Sequence, residues 1–394
     1  RLSPRRDARH RALAIAGAPR FAMVAGEASG DLLGSLVLQA MHARWPALAA
    51  QGIGGPQMQA HGFEAWWPAD KLSVSGYIEV LRHLREILGI RGALRDRLLA
   101  ERPDVFIGVD APDFNLGLET QLRAAGIKTV HFVCPSIWAW RMKRVEKLQR
   151  ACDHVLCIFP FEPELLARHG IAATYVGHPL ANVIPMEPDQ AAARAALGLP
   201  ADAEVVAVLP GSRASEIENL APCFLQAAAL LQRQRPGAWF VLPAVPRLQA
   251  RIEQIARGVP GLRNLKIVAG QSHAVLAACD VALVASGTAT LETALFKRPM
   301  VISYRTHWLT YALMKPRHLQ PWIGLPNILC KDFVVPELLQ SNAKPESLCG
   351  ALEEWLCSPD RMRTVQEKLR PMHGRLLRDT ATLATDAIEQ VLQA

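Results

Sequence analysis

Short apolar runs alternate with longer stretches whose apolar residues recur every three or four positions, from one end of the chain to the other. The runs Phe21–Ala25, Val105–Val109, Lys128–Val133 and His154–Ile158 predict strands in the first half. In the second half the same reading picks out Val205–Leu209, Trp239–Leu242, Leu265–Val268, Val281–Val284 and Pro299–Ser303. Strands that alternate with helical stretches imply parallel sheets with helices on both faces. The pattern pauses between Val176 and Pro200, where Gly177-His178-Pro179, Pro185, Pro188 and Pro200 fall. A short helix over residues 189–198 ends at Gly198, a residue suited to the left-handed position after a helix. The linker is therefore placed near residues 180–190. The expected fold class is α/β: two doubly wound, Rossmann-like domains, residues 20–183 and 184–358, facing a cleft at their strand carboxyl ends. A last helical stretch, residues 359–394, has no strand after it.

Composition narrows this picture. A chain of 394 residues suits two cores, and with 50% hydrophobic and 20% charged residues both can be filled. The net charge of +8 suits polyanionic partners such as anionic lipid or phosphorylated substrates, or a plainly solvated basic surface. No zinc-finger spacing, RNP-like segment or long basic helix points to nucleic acid. The eight cysteines are scattered without a C-x-x-C pair, which leaves reduced core cysteines as the reading. No apolar stretch approaches the ~20 residues of a membrane span. Residues 1–19 are basic with a short apolar patch, and read as a disordered basic tail.

Five segments at predicted strand ends carry candidate chemistry. Gly26-Glu27-Ala28-Ser29-Gly30-Asp31 leads from a strand into a helix, a turn where N–H groups favour anions. It lacks the dinucleotide fingerprint, and the structural alternative is a tight turn with Asp31 capping the helix. Asp110 ends the most hydrophobic strand of the first half and lies at the mouth of the sheet, where a carboxylate can serve as a general base. Asp113, three residues on, is read as a helix cap. Pro135–Arg144 puts Trp138 and Trp140 beside Arg141, Lys143 and Arg144, which suits a sugar or acyl face next to a phosphate, or a buried aromatic pair with a solvated basic face. Leu209-Pro210-Gly211-Ser212-Arg213 precedes Ser215 and Glu218, a capping-box spacing that opens a helix at once. Backbone donors and a guanidinium at a helix start form a diphosphate site without a metal. Ser286-Gly287-Thr288-Ala289-Thr290-Leu291-Glu292 offers small hydroxyls at another helix start and a carboxylate for ribose hydroxyls, or else an ordinary serine cap. Among the histidines, His131 and His178 are read as structural. No H-E-x-x-H, Walker A, G-x-S-x-G or D-x-D motif occurs.

Taken together, VAGEASGD (24–31), GVDAPDFN (108–115), PSIWAWRMKR (135–144), VGHPL (176–180), LPGSR (209–213), SGTATLE (286–292) and LPNIL (325–329) resemble the lipid-A-disaccharide synthase family over residues 21–390. The resemblance implies a GT-B glycosyltransferase, inverting and without metal or other cofactor. It would transfer 2,3-diacylglucosamine from its UDP derivative to the 6-hydroxyl of 2,3-diacylglucosamine 1-phosphate (lipid X). It implies Asp110 as the favoured base, with Glu27 or a water relay left open, and Arg213 as a residue that matters for activity. The acceptor-side loops would supply Glu27, Ser29, Gly30, Asp31, Trp138 and Arg141. The donor site would comprise Gly211, Ser212, Arg213, Ser286, Gly287, Thr288, Thr290, Glu292 and Asn327. GT-B precedent brings the C-terminal helices back toward the first domain, and the family implies a homodimer with swapped C-terminal portions. The rivals are a UDP-N-acetylglucosamine 2-epimerase on a similar fold and a non-catalytic nucleotide-binding membrane adaptor.

Residues 72–99 add a candidate membrane contact. Val74, Tyr77, Ile78, Leu81, Leu84 and Leu88 recur at helical spacing, with Arg82, Arg85, Arg91, Arg95 and Arg97 among or after them. An apolar stripe beside arginines suits an interfacial helix, and equally a core-facing helix with a solvated basic face. The resemblance favours the former, and with it a cytoplasmic protein held peripherally on the anionic inner face of a Gram-negative inner membrane.

Overall fold

A computed structural model of the chain describes residues 18–26, 28–68, 77–137, 143–305 and 321–394. It resolves into two compact units: residues up to Pro179 with Arg378–Ala394, and Leu180–Leu377.

In the first unit seven strands pair in parallel: β1 (Arg20–Ala25), β2 (Ala49–Gly54), β3 (Glu64–Pro68), β4 (Val105–Val109), β5 (Lys128–Phe132), β6 (His154–Cys157) and β7 (Ala173–Tyr175). Their order is β3-β2-β1-β4-β5-β6-β7. The helices that matter here are α1 (Ala28–Arg44), α2 (Pro56–Gln59), α3 (Tyr77–Glu101), α4 (Pro112–Ala124) and α5 (Lys143–Ala151). The second unit repeats the plan. Strands β8 (Val205–Leu209), β9 (Trp239–Ala244), β10 (Leu265–Ala269), β11 (Val281–Ala285), β12 (Met300–Tyr304) and β13 (Glu337–Leu339) pair in parallel in the order β10-β9-β8-β11-β12-β13. Its helices include α6 (Gln190–Ala196), α7 (Ala214–Gln234), α8 (Thr288–Leu295), α9 (Leu325–Cys330) and α10 (Pro359–Leu376); a last helix, α11 (Thr380–Gln393), belongs to the first unit.

Every residue of β4, β8 and β11 is buried. That is what near-continuous Val, Ile, Leu and Ala runs require when helices cover both sheet faces. In the first unit one face is filled by Val24, Ile53, Phe106, Leu118 and Leu122 against Leu94 and Leu98 of α3. Strand order reverses between β1 and β4, and again between β8 and β11. Crevices at such switch points are where open α/β sheets take their ligands. The loops after β1, β4, β8 and β11 are four of the five segments that sequence reading singled out.

The domain expectation differs from the observed units in two places. The division falls at Pro179/Leu180 rather than after residue 183, and of the C-terminal helices only α11 rejoins the first unit. There α11 packs on α1, where Arg44 of α1 forms ion pairs with Asp386 at 2.6 Å and with Glu389. Strands β2, β3, β7 and β13 were not foreseen. They are short or interrupted: β2 carries Gly52 at φ +138, because a Cβ there would stand 2.2 Å from the carbonyl oxygen of Met23.

Candidate active site

At the carboxyl end of β4 the chain does something costly. Asp110 (φ +52) and Ala111 (φ +44) are both left-handed, and Val133, just past neighbouring β5, is too (φ +79). Such a conformation costs a non-glycine residue about 1–3 kcal/mol and persists only where the surroundings over-determine it. They do so here. The Asp110 N–H donates to the Phe132 carbonyl (2.8 Å), and the Asn115 amide donates to the Asp110 carbonyl (2.8 Å). Ala111 is the N-cap of α4, with no side-chain cap. Asp113 therefore does not cap the helix as expected. Its exposed carboxylate accepts from Arg144 at 2.9 Å.

Across the switch point, the first turn of α1 places Ser29 at the surface and buries Gly30 against the ends of β1 and β4. Asp31 corrects the sequence reading. It is buried, and its carboxylate accepts from the backbone N–H groups of Gly55 (2.9 Å), Gln57 (3.0 Å) and Met58 (3.1 Å). It caps the distant α2 rather than its own helix, and it is not open to an acceptor. Glu27, Trp138 and Arg141 lie outside the described residues.

In the second unit Arg213, not Ser215, precedes the first turn of α7, and Glu216 rather than Glu218 closes the cap. The Glu216 carboxylate accepts from the N–H groups of Ser212 (2.9 Å) and Arg213 (3.2 Å). These two donors are thus already engaged, which sequence reading missed although Glu216 stands at the third helical position. Gly211 holds φ +120 tightly against this carboxylate. Glu218 instead pairs with Arg251. The Arg213 side chain is 71% exposed, with a 3.6 Å contact to Glu216, so its guanidinium is free to meet a larger anion.

Beside it, Gly287 (φ +151) is the N-cap of α8, and Ser286 and Thr288 flank it with at least partial exposure. The Thr290 hydroxyl is not available as expected. It is buried and donates to the Gly287 carbonyl at 2.7 Å. Glu292 is half-buried, and burial pushes its carboxyl above the usual range. His273 Nε2 stands 3.9 Å away, and burial lowers the pKa of that imidazole. A carboxylate set in this way is ready to accept from ligand hydroxyls. Asn327 is a second correction. It is fully buried, its amide donates to Val335 (2.9 Å) and Glu337 (2.8 Å), and its oxygen accepts from the Val335 N–H (3.0 Å). It fixes β13 rather than facing a ligand.

Helix α3 forms where the periodicity predicts it, but its two halves differ. Leu94 and Leu98 are fully buried, whereas Leu88 is 44% exposed and Arg85 is exposed. Arg97 pairs with Glu101 and lies 3.6 Å over the Trp66 ring, and Arg95 pairs with Asp96, so neither is an unengaged cation. Val74 lies outside the described residues, as do the side chains of Tyr77, Ile78, Leu81, Arg82 and Leu84. No helix among the described residues is long and apolar enough to cross a membrane.

Among the described residues, two buried groups gather metal-ligand atoms: Glu119, His131 and Cys152, and Cys134, Cys157 and Glu162. In the first, Glu119 accepts from Cys152 (3.3 Å) and meets His131 Nδ1 at 2.8 Å. Burial raises the thiols of Cys152 and Cys157 well above their ordinary value, which opposes the thiolate a metal requires. Both groups read as core hydrogen-bond networks. All eight cysteines are free thiols, and six are buried with one half-buried.

A family model described as lipid-A-disaccharide synthetase matches residues 21–390. The chain is 62% identical over 379 residues to the lipid-A-disaccharide synthase of Albidiferax ferrireducens, covering 95% of this chain and 97% of that protein. It is 60% identical over 378 residues to that of Verminephrobacter eiseniae, again covering 95% and 97%. Among solved structures it is similar to UDP-GlcNAc 2-epimerase from Neisseria meningitidis, with a TM-score of 0.62, 10% identity, and coverage of 95% of this chain and 99% of that one. A glycosyltransferase from Rickettsia africae gives a TM-score of 0.58 at 11% identity, covering 95% and 98%. The fold is the expected GT-B type. At such identities these likenesses carry the fold alone, and an isomerase and a transferase share it.

Proposed function

The chain belongs to the lipid-A-disaccharide synthetase family, and from that premise we propose that it is an inverting transferase using UDP-2,3-diacylglucosamine as donor and 2,3-diacylglucosamine 1-phosphate as acceptor. Glycosyl transfer in the making of the lipid A disaccharide is the family's activity; the substrates, the stereochemistry and the residue roles are the proposal. The observation that carries it is the strained Asp110–Ala111 pair at the first unit's switch point.

In the proposed step the acceptor 6-hydroxyl oxygen attacks the donor's anomeric carbon as the bond to the diphosphate oxygen breaks. The hydroxyl proton passes to the Asp110 carboxylate, and UDP leaves with the bonding pair. Charge grows on the diphosphate as it departs, and the exposed Arg213 guanidinium at the start of α7 can meet it with a planar, two-pronged donor set. Glu292 would accept from the ribose hydroxyls, with Gly211, Ser286, Gly287 and Thr288 around the phosphates. Ser29 and Gly30 would border the acceptor.

Both substrates carry acyl chains, so the enzyme must meet them at a bilayer. Exposed Leu88 continues the stripe of Ile78, Leu81 and Leu84 by helical spacing, and Arg85 stands beside it. This supports a peripheral contact with anionic lipid on the inner face of the inner membrane through the first half of α3. A homodimer with swapped C-termini would exchange the α1–α11 contact between copies at little cost, since the exchanged interface is the same.

The test is direct. The protein is incubated with both substrates in mixed micelles, and free UDP and the disaccharide 1-phosphate are followed, with the new linkage assigned by NMR. A β-1,6 linkage is expected. An α linkage, release of UDP without disaccharide, or epimerisation of the donor would overturn the reading.

A further inference from the structure

Behind Asp110 sits a side chain that no motif reading assigned. Asn115 lies on the first turns of α4 and is fully buried. Its amide donates to the Asp110 carbonyl at 2.8 Å and, more distantly at 3.5 Å, to the carbonyl of Val24 in β1. One carboxamide thus ties the ends of the two strands that flank the switch point.

Three further observations describe this placement. Gly108 makes room for the buried polar side chains behind it, since a Cβ there would stand 2.1 Å from Glu119 Oε1 and 3.0 Å from the Asn115 Cβ and Cγ. The Asn115 backbone N–H donates to the Ala111 carbonyl at 3.0 Å, the first bond of the helix, which sets the side chain at the foot of the left-handed pair. Finally, the Asn115 Oδ1 is buried with no hydrogen-bond partner among the described residues. A buried acceptor left unpaired calls for an explanation. The amide orientation is dictated by two carbonyls, which only the NH2 end can serve.

We propose that Asn115 is a positioning residue for the transfer reaction: by holding the Asp110 carbonyl, it keeps the Asp110–Ala111 pair left-handed and so aims the Asp110 carboxylate at the acceptor hydroxyl. The inference rests on the reading of Asp110 as the base. Asn115 touches neither substrate. Its removal leaves the base chemically intact but free to turn, which lowers the fraction of bound complexes that are ready to react.

The experiment is a double-mutant cycle on the full-length protein. Turnover is normalised to the number of UDP-binding sites measured by calorimetry, which counts folded molecules. Asn115→Ala should lower kcat by about 10- to 100-fold, with UDP affinity and the donor KM changed less than about threefold. Asn115→Ser, which retains a short hydroxyl donor, should recover part of the loss. In an Asp110→Asn background Asn115→Ala should add little, since there is no base left to aim. If Asp110→Asn alone keeps near-normal turnover, the base reading fails, and this inference with it. If Asp110→Asn is inactive but Asn115→Ala turns over within about twofold of wild type, or its loss multiplies fully with that of Asp110→Asn, the positioning role is overturned while the base reading stands. If the alanine and serine variants both fail to fold, Asn115 is a structural residue and the inference is likewise overturned.

Discussion

Strand β4 runs into Asp110 and Ala111, left-handed residues that are not glycine, whereas strand β8 runs into Pro210 and Gly211, and β11 into Ser286 and Gly287, where glycine takes the positive φ. The two sheets have the same order around the switch point. In the first unit the strained backbone carries a side chain and is held by buried bonds from Asn115 and Phe132. In the second the bend falls on glycine, Glu216 holds the N–H groups that follow Gly211, and an exposed arginine side chain stands at the helix start. On the proposed function, the difference follows from what each edge has to present. A proton acceptor works only if one carboxylate points one way, and strain in a residue with a Cβ fixes that direction. On the proposed reading the diphosphate is met by the Arg213 guanidinium beside glycine-bearing turns, where close backbone approach matters more than the aim of any one side chain.

The comparison breaks most readily at its two central residues. Asp110→Asn keeps the shape and removes the basicity, so turnover should fall about 100-fold or more while UDP binds as before. Arg213→Ala should show the opposite emphasis, weakening UDP by about tenfold or more and slowing turnover with it. Lysine there should rescue only in part, because it lacks the planar fork. Turnover should persist in EDTA. An Asp110→Asn protein that loses UDP, or an Arg213→Ala protein that binds it normally, would mean that the two edges had been assigned the wrong way round.

The lipid contact is assigned to the first unit, and a paired substitution tests that. Ile78→Glu with Leu81→Glu should give a folded protein that binds UDP but is released about tenfold more readily from anionic vesicles. Sedimentation with vesicles reads the effect. Unfolding of the double variant would put the stripe in the core, and unchanged binding would move the contact elsewhere.

A smaller effect is expected at Glu292. Burial raises its pKa, and hydrogen bonds from ribose hydroxyls favour the ionised form. UDP affinity should therefore be full above the raised pKa and fall as the pH drops through it. Glu292→Gln should bind UDP about three- to tenfold more weakly at neutral pH, with that part of the pH dependence gone. Calorimetry across pH 5–8, with UMP and UDP compared to separate phosphate titration, measures it. An identical pH slope in wild type and variant would remove Glu292 from the nucleotide site.

Much of this was legible in the sequence because hydrophobic patterning writes the central strands: β4 and β8 were bounded correctly, and β1, β5 and β11 to within a residue. Edge strands β3 and β13 were not legible, since a half-covered strand needs no apolar run. At the site, the loops after β1, β4, β8 and β11 could be picked out because strand-to-helix turns leave short polar signatures. What escaped was how side chains spend their hydrogen bonds. Asp31 and Asn327 look like ligand residues in a motif, yet they are committed to backbone groups 24 and 8 residues away. Asn115 and Glu216 were given no role from the sequence, yet their side chains bond the backbone of the loops before them. Sequence reports which residue types lie near a strand end; only the fold decides which of their polar atoms remain free.

The finest test exchanges glycine between the two edges. Gly211→Ala places a Cβ at φ +120 and within 2.4 Å of the Glu216 carboxylate, so it should lower stability by about 1–3 kcal/mol and disturb UDP binding with it. The reciprocal change, Ala111→Gly, should behave differently. It relieves a left-handed conformation that costs an L-residue about 1–2 kcal/mol. Against this stand the greater freedom of glycine in the unfolded chain, about 0.4–1 kcal/mol, and part of the ~0.8 kcal/mol carried by a methyl group packed at the core edge. The balance is near zero, so the melting temperature should move by no more than about 2 °C. Turnover should nevertheless fall severalfold, because a glycine beside Asp110 widens the arc through which its carboxylate can swing. A variant that melts like wild type but turns over more slowly, with UDP affinity unchanged, would show that the strain at β4 serves aim rather than stability. A clear loss of stability with turnover intact would show instead that Ala111 is an ordinary packed residue and that Asp110 is aimed by something other than its backbone.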